Sequence, residues 1–309
     1  MFEHALGANQ AALIDDPLTR KGFELWYRRV LRFCGATGGV DVEVIANELI
    51  LNDKTAEYIY SGFTTDEIRY VPGSRPMLEA VVAGTVTQGM RNREKAVALM
   101  RRCRDNRDQG LARPYLFAGG TEEELLKRGA IDCGEISRLF ACLCQIAGLP
   151  CRLLSAPITG HMTNEVKVDG QWWWMDVENG LAPVDGQDAP VSAWRLAQDS
   201  SLFDRQPKSV IADCRPTSRL FGKDERHPRN VAYCIYWVRC CFHPREARAV
   251  GNYYVWEHGK YTYPWYIHQE EQGSYAEATR EEHLNRKAAG WPDYYFDSYL
   301  LSQDLKTRA

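Results

Sequence analysis

Three residues near the middle of the chain have the side-chain chemistry of a nucleophile, a base and an orienting carboxylate: Cys133, His161 and Asp176. A cysteine thiolate can attack the carbonyl carbon of an amide or ester, and a neighbouring histidine can then protonate the leaving amine. A carboxylate beside that histidine fixes the ring tautomer and favours the imidazolium. Because 28 and 15 positions separate the three residues, the fold must bring them together.

A β-hairpin predicts the contact between the histidine and the aspartate. Two runs of β-forming residues, 161–168 and 171–176, flank the dipeptide Asp169-Gly170, which is a strong signal for a two-residue turn. Side chains alternate between the faces of a strand, so His161 and Asp176 should share one face as diagonal neighbours. The implied register pairs Val168 with Gln171, Val166 with Trp173, and Thr163 with Asp176.

The cysteine stands at the start of a predicted helix. The apolar residues of 133–147 recur at helical spacing, and Gly148 and Pro150 mark the end of the helix. Unpaired N–H groups and the positive end of the helix dipole favour a thiolate at Cys133. The backbone N–H of Cys133 is also a predicted donor to the oxyanion of a tetrahedral intermediate. The apolar stripe consists of Ile136, Leu139, Phe140, Leu143 and Ile146.

These residues and their neighbours resemble the transglutaminase-like superfamily of cysteine enzymes. The resemblance extends over about residues 93–180 and implies that Cys133, His161 and Asp176 are the catalytic cysteine, histidine and aspartate. It also implies an α+β fold with papain-like logic, in which the nucleophile helix packs on an antiparallel sheet. The motifs that carry it are Asp132-Cys133-Gly134-Glu135, Gly148-Leu149-Pro150-Cys151-Arg152, His161, Glu165-Val166, Asp169-Gly170, Trp172 and Asp176.

The sequence also departs from the usual pattern of that superfamily. Thr163 occupies a position where an aromatic residue is common, and Val177 follows Asp176 where proline is common. The compact spacing is similar to that of peptide:N-glycanases, but the chain lacks the Cys-x-x-Cys pairs that would resemble their zinc module. Deglycosylation is therefore not the activity that the sequence favours.

The regions around this core have weaker signals. We predict a mainly helical N-terminal region (1–90), a catalytic core (91–225) and an aromatic-rich C-terminal extension or subdomain (226–309). Two helices are expected before the cysteine, at about 92–106 and at 121–128, and the second begins with the capping pattern of Thr121 and Glu124. Residues 53–76 are interpreted as a loop or short strand.

The remaining cysteines and the tryptophan run are interpreted as packing residues. Cys234, Cys240, Cys241 and His243 cluster within ten positions, but they lack the paired spacing of structural zinc, so no metal is predicted. The second oxyanion donor stays open between Gln109 and Tyr115. Trp173 should point away from Asp176. The other expected packing residues are Cys142, Cys144, Cys151, Trp172 and Trp174, of which the two tryptophans should lie on the side of the site.

Composition excludes several classes of protein. With 38 Lys and Arg against 41 Asp and Glu, the 309-residue chain has a net charge of −3, so it has no basic field to hold nucleic acid. The ten cysteines are too sparse for a disulfide scaffold. No signal peptide or membrane segment is recognisable, so we expect a cytoplasmic protein with free thiols.

The sequence therefore predicts a cysteine enzyme of acyl transfer that needs no cofactor. Its substrate would be a peptide, a protein or a small amide or ester, and the acyl group would pass from Cys133 to water or to an amine. Two alternatives stay open: an acyltransferase similar to arylamine N-acetyltransferases, and a non-catalytic binding module on the same scaffold.

Overall fold

The sheet that carries the hairpin has five strands and is antiparallel throughout, in the order β1-β5-β2-β3-β4. The computed structural model describes residues 10–24, 48–111, 121–130, 133–157, 159–214, 234–235 and 238–252, of which 108–111 are described by their backbone alone. The strands are β1 (Glu48–Leu51), β2 (Cys151–Ala156), β3 (His161–Val168), β4 (Gln171–Met175) and β5 (Arg248–Gly251).

The predicted hairpin is confirmed with its register. Val168 pairs with Gln171 and Val166 pairs with Trp173 across β3 and β4. Asp169 and Gly170 have φ values of 51° and 83°, which are the positive values that a tight type I′ turn requires at both central positions. The turn chemistry therefore sets which side chains of the two strands lie opposite each other.

Most helices precede the strands of the hairpin in the chain. The described helices of three or more residues are α1 (Ala56–Tyr58), α2 (Pro76–Thr85), α3 (Asn92–Leu111), α4 (Glu122–Arg128), α5 (Cys133–Ile146), α6 (Ala193–Gln198) and α7 (Lys208–Asp213). A π-helical turn (Ile59–Phe63), a 3₁₀ helix (Ser200–Arg205) and helical residues 17–24 and 238–240 are also described. The combination of helices and an antiparallel sheet confirms the α+β class. Among the residues that the structure describes, none of the helices combines the length and the apolar character that a membrane span needs.

The capping box and the apolar stripe both formed helices as predicted. At the start of α4, the Thr121 side chain accepts from the backbone N–H of Glu124, while the Glu124 side chain accepts from the N–H of Thr121. Helix α5 buries the first four residues of its stripe fully and Ile146 partly, and it ends at Ile146, two residues before Gly148, which has a φ of 77°. Leu149 donates its N–H to the carbonyl of Cys144 there, so the last turn is closed by a glycine C-cap.

The two faces of the sheet pack against different groups of side chains. Helix α5 packs on one face with Val166, Val168 and Trp173. On the other face, Leu154 and Trp174 pack with side chains that come from later in the chain, including Phe203 and Phe242. Trp173 therefore points to the side opposite Trp174, as the alternation predicts.

Residues 53–76 differ from the predicted loop or short strand, because α1 and the π-helical turn lie within them. The Ile59 side chain is buried, and its carbonyl accepts a hydrogen bond from the Arg152 guanidinium at 2.7 Å. This contact joins residues 93 positions apart, so local sequence preference could not reveal it.

Strands β1 and β5 come from outside the predicted core (91–225) and pair with each other, and β5 also pairs with β2. Each has only four residues, which is too short for a recognisable alternation of polar and apolar positions. The three-part division of the chain stays a prediction. Most of the predicted aromatic extension lies outside the described residues.

Candidate active site

His161 and Asp176 form a buried hydrogen-bonded pair. His161 is the first residue of β3, Asp176 directly follows β4, and the His161 Nε2 atom lies 2.6 Å from Asp176 Oδ2. The His161 side chain is 2% exposed and that of Asp176 is not exposed at all, so water screens their attraction weakly. The contact confirms the prediction from the hairpin that His161 and Asp176 are diagonal neighbours.

The two groups shift each other's pKa in opposite directions. Burial by itself lowers the pKa of His161, but the negative charge of Asp176 and hydrogen bonds to Asp176 and Cys133 raise it well above its ordinary value. Burial raises the pKa of Asp176, and the His161 charge together with hydrogen bonds from Asn179 outweighs that effect and lowers it. The pair therefore favours an imidazolium beside a carboxylate.

A tight turn after β4 fixes the aspartate. Asp176 and Leu181 exchange backbone hydrogen bonds of 2.8 and 2.9 Å, and Asn179 donates its backbone N–H and its side-chain amide to the two carboxylate oxygens, each at 2.9 Å. Gly180 completes this turn with a φ of 67°. The Asp176 carboxylate therefore has little freedom to leave the histidine.

Cys133 meets the histidine at the end of the sheet. It is the first residue of α5, its side chain is half-buried, and its thiol contacts the Gly160 carbonyl at 3.9 Å. Gly160, with a φ of 73°, directly precedes His161. The ligand atoms of Cys133 and His161 lie within 4.8 Å of each other.

The sequence predicts that helix α5 packs on the hairpin but does not say on which face. The helix packs on the face opposite His161, and Cys133 reaches the imidazole where β3 begins. Two bonds hold this arrangement: Ser137 Oγ donates to the Met162 carbonyl at 3.1 Å, and Asn164 Nδ2 donates to the Ser137 carbonyl at 3.0 Å. The first turn of α5 is thereby pinned to β3.

Sequence reasoning missed Glu178. Its Oε2 atom lies 3.8 Å from His161 Nδ1, and it belongs with Cys133 and His161 to the group within 4.8 Å. Arg107, a buried residue of α3, donates to the Glu178 carbonyl. The turn after β4 brings this second carboxylate back to the site, and the sequence around Glu178 has no motif that marks it.

Other motif residues support the sheet. Arg152 and Glu165 form a fully buried ion pair with nitrogen–oxygen distances of 2.6 and 2.9 Å. The Arg152 guanidinium lies 3.9 Å from the centroid of the Trp172 ring, and the Tyr60 hydroxyl donates to Glu165 at 2.7 Å. This network links β2, β3 and β4 to the turn after α1. The motif residues Arg152, Glu165 and Trp172 therefore stabilise the fold and are not part of the candidate active site.

The other described cysteines sit in different surroundings. Cys103, Cys142, Cys144 and Cys151 are fully buried, and burial raises the pKa of the Cys142 thiol. Cys241 is also buried, which raises its pKa to about 12. The Cys142 and Cys241 thiols are unfavourably placed for ionisation, whereas Cys133 is half-buried at a helix start.

The cysteines and the histidine that cluster in the sequence at 234–243 contact different partners in the structure. The Cys234 sulfur lies 3.3 Å from the sulfur of Cys214, and Cys241 Sγ accepts a hydrogen bond from Thr159 at 3.7 Å. His243 Nδ1 accepts the backbone N–H of Arg245. Of the two candidate oxyanion donors, Gln109 lies in α3 without a described side chain, and Tyr115 falls outside the described residues.

The site brings together a cysteine at a helix start, a histidine at a strand start and a carboxylate on the far ring nitrogen of that histidine. Residues 79–177 match the family model of the transglutaminase-like superfamily, and that segment contains Cys133, His161 and Asp176. The match confirms the sequence resemblance over this segment. Neither the curated proteins nor the solved structures yield a match to this chain.

Proposed function

We propose that the protein is a cysteine-dependent acyl-transfer enzyme in which Cys133 is the nucleophile, His161 the general acid and base, and Asp176 the group that orients the histidine. The observation that supports this proposal most strongly is that the two nitrogens of the imidazole ring have different neighbours. Its Nε2 atom is held by Asp176 at 2.6 Å, its Nδ1 atom lies 3.8 Å from Glu178 Oε2, and a ring nitrogen lies within 4.8 Å of the Cys133 sulfur. A ring held in this way can exchange a proton with the thiol without turning.

The first step is formation of an ion pair. The Cys133 thiol proton moves to His161 Nδ1, and the resulting imidazolium is stabilised by the buried Asp176 carboxylate. The N-terminal end of α5 stabilises the thiolate, because the first N–H groups of a helix have no partner within the helix.

The thiolate then attacks the carbonyl carbon of an amide or ester. The carbon–sulfur bond forms, the carbonyl π electrons move to oxygen, and the backbone N–H of Cys133 donates to that oxyanion. When the oxyanion collapses, His161 Nδ1–H protonates the departing amine or alcohol, and a thioester remains on Cys133. Attack by water or an amine, which gives its proton to His161, releases the acid or a new amide.

Selective alkylation tests the activated cysteine. Iodoacetamide at neutral pH should label Cys133 at least about 10-fold faster than any other cysteine, because the alkylating species is the thiolate. His161→Gln should slow this labelling, whereas Cys241→Ser, which removes another thiol near the imidazole, should leave it unchanged. Peptide mass spectrometry over time gives the rate for each thiol.

Two outcomes would contradict the proposal. Equal labelling of Cys133 and the other cysteines would remove the activated thiolate and favour a non-catalytic binding module. Fast labelling that persists in a folded His161→Gln variant would remove the histidine from its role. Hydrolysis and transfer are then separated by incubating a glutamine peptide with the protein in the absence and in the presence of a primary amine. Only transfer yields the new amide.

A further inference from the structure

Three different metal-binding side chains converge at the candidate active site. The Cys133 sulfur, a ring nitrogen of His161 and a carboxylate oxygen of Glu178 lie within 4.8 Å of one another, and the last two atoms are 3.8 Å apart. Sequence spacing gives no hint of this group, because its members lie 28 and 17 positions apart. The three side chains belong to α5, β3 and the turn after β4.

The ligand types select among common cations. A thiolate, an imidazole and one carboxylate suit Zn²⁺, while Ca²⁺ and Mg²⁺ prefer sites built from oxygen. Zinc bonds of about 2.0–2.3 Å place tetrahedral ligands roughly 3.3–3.8 Å apart, so the group needs only a small contraction. The Glu178 side chain is 16% exposed and lies at the rim of the site, where it can make that movement.

The surroundings of the histidine match those of a zinc ligand. A metal-bound histidine usually donates its other ring N–H to a carboxylate, which fixes the ring and makes the coordinating nitrogen more basic. Asp176 occupies that position on Nε2 at 2.6 Å and is itself held by Asn179. The other ring nitrogen, Nδ1, lies 3.8 Å from Glu178 Oε2 and is the atom that would coordinate the metal.

We propose that Cys133, His161 and Glu178 form a zinc(II) site with a fourth position open to water. Binding forms a zinc–sulfur bond and releases the thiol proton to solvent, with no change in oxidation state. Resting on the proposed function, zinc is then a reversible inhibitor, because the sulfur that it holds is the nucleophile.

Metal titration tests the site without any assay of catalysis. The chelator-treated full-length protein should bind one Zn²⁺ per chain in competition with a chromophoric chelator. Co²⁺ should give a near-ultraviolet thiolate-to-cobalt absorption band. The band should disappear in Cys133→Ser and persist in Cys241→Ser, the matched control for a second thiol near His161.

Replacing either of the two carboxylates next to His161 should weaken zinc binding. Asp176→Asn should weaken zinc binding by roughly 10–100-fold, because it changes only the group behind the histidine. Glu178→Gln should weaken it as well, while thermal unfolding confirms that each variant is folded.

Stoichiometric binding that survives Cys133→Ser, or no binding at all, would overturn the zinc site. Unchanged affinity in folded Glu178→Gln would remove Glu178 from it. Failure of the proposed function is recognised separately, because slow alkylation of metal-free Cys133 contradicts the enzyme and leaves the cobalt spectrum unaffected.

Discussion

Gly180 is the position at which one methyl group should damage the turn that holds Asp176. Its φ of 67° lies in the left-handed region, and a Cβ atom built there would stand 2.3 Å from the Asp213 carbonyl oxygen and 2.7 Å from Arg104 Nη1. The carbonyl is backbone and already accepts a hydrogen bond from that guanidinium. Neither neighbour can withdraw without breaking this contact.

The structure separates two costs of Gly180→Ala. The left-handed conformation costs a residue with a Cβ about 1–2 kcal/mol, and overpacking a filled site costs about 1–3 kcal/mol more. We therefore expect Gly180→Ala to lower the free energy of unfolding by about 2–5 kcal/mol.

Two other glycines provide matched controls. Gly148 has a φ of 77° but nothing within 4 Å of a new Cβ, so Gly148→Ala should show the conformational cost alone, about 1–2 kcal/mol. Gly186 has open space and no left-handed backbone, so its replacement by alanine should change stability by no more than about 0.5 kcal/mol.

Urea unfolding followed by tryptophan fluorescence measures the three differences, and iodoacetamide labelling of Cys133 reports on the site. Gly180→Ala should also slow that labelling, since Asp176 and Glu178 lie in the same turn. Stability of Gly180→Ala equal to that of Gly186→Ala would refute the turn geometry. A cost equal to that of Gly148→Ala would refute the collision with Asp213.

Three further predictions concern the charged groups of the site and the sheet. Asp176→Asn should reduce acylation by about 10²–10⁴-fold while the protein stays folded, because the histidine loses its orienting partner; a change below threefold in stopped-flow acylation would contradict this role. The folded pKa of His161 is raised, so its stabilising contribution is complete below its unfolded value near 6.5 and declines as pH rises through the folded pKa. The stability difference between wild type and Asp176→Asn should therefore be larger at about pH 6 than at about pH 9, and an equal difference in urea unfolding at both would exclude this linkage. Arg152→Met should lower the free energy of unfolding by about 3–5 kcal/mol because it leaves Glu165 as an uncompensated buried charge. An unchanged melting temperature of this variant would show that the ion pair contributes little to stability.

Local signals predicted the elements that carry the site. Asp169-Gly170 is compatible with few backbone conformations, so one dipeptide fixed the register of β3 and β4 and with it the meeting of His161 and Asp176. The stripe of α5 and the capping box of Thr121 depend on residues three or four positions apart, and both formed as predicted.

Contacts between distant residues were beyond such reasoning. The stripe of α5 indicates a buried side but does not choose a face of the sheet, and Ser137 and Asn164 settle that choice by hydrogen bonds to other elements. Strands β1 and β5 pair across almost the whole described chain. Glu178 lies in the site because a turn reverses the chain after Asp176. A single glutamate forms no sequence pattern from which this position could be predicted.

Trapping the acyl-enzyme tests the central claim most directly. The full-length protein is mixed with an activated ester and with a glutamine peptide, quenched in acid within seconds, and digested for mass spectrometry. We predict a hydroxylamine-sensitive acyl adduct on Cys133 in the wild type and in Cys241→Ser, and its absence in Cys133→Ser. An adduct on another cysteine, or no adduct on Cys133 with either substrate, would contradict the account.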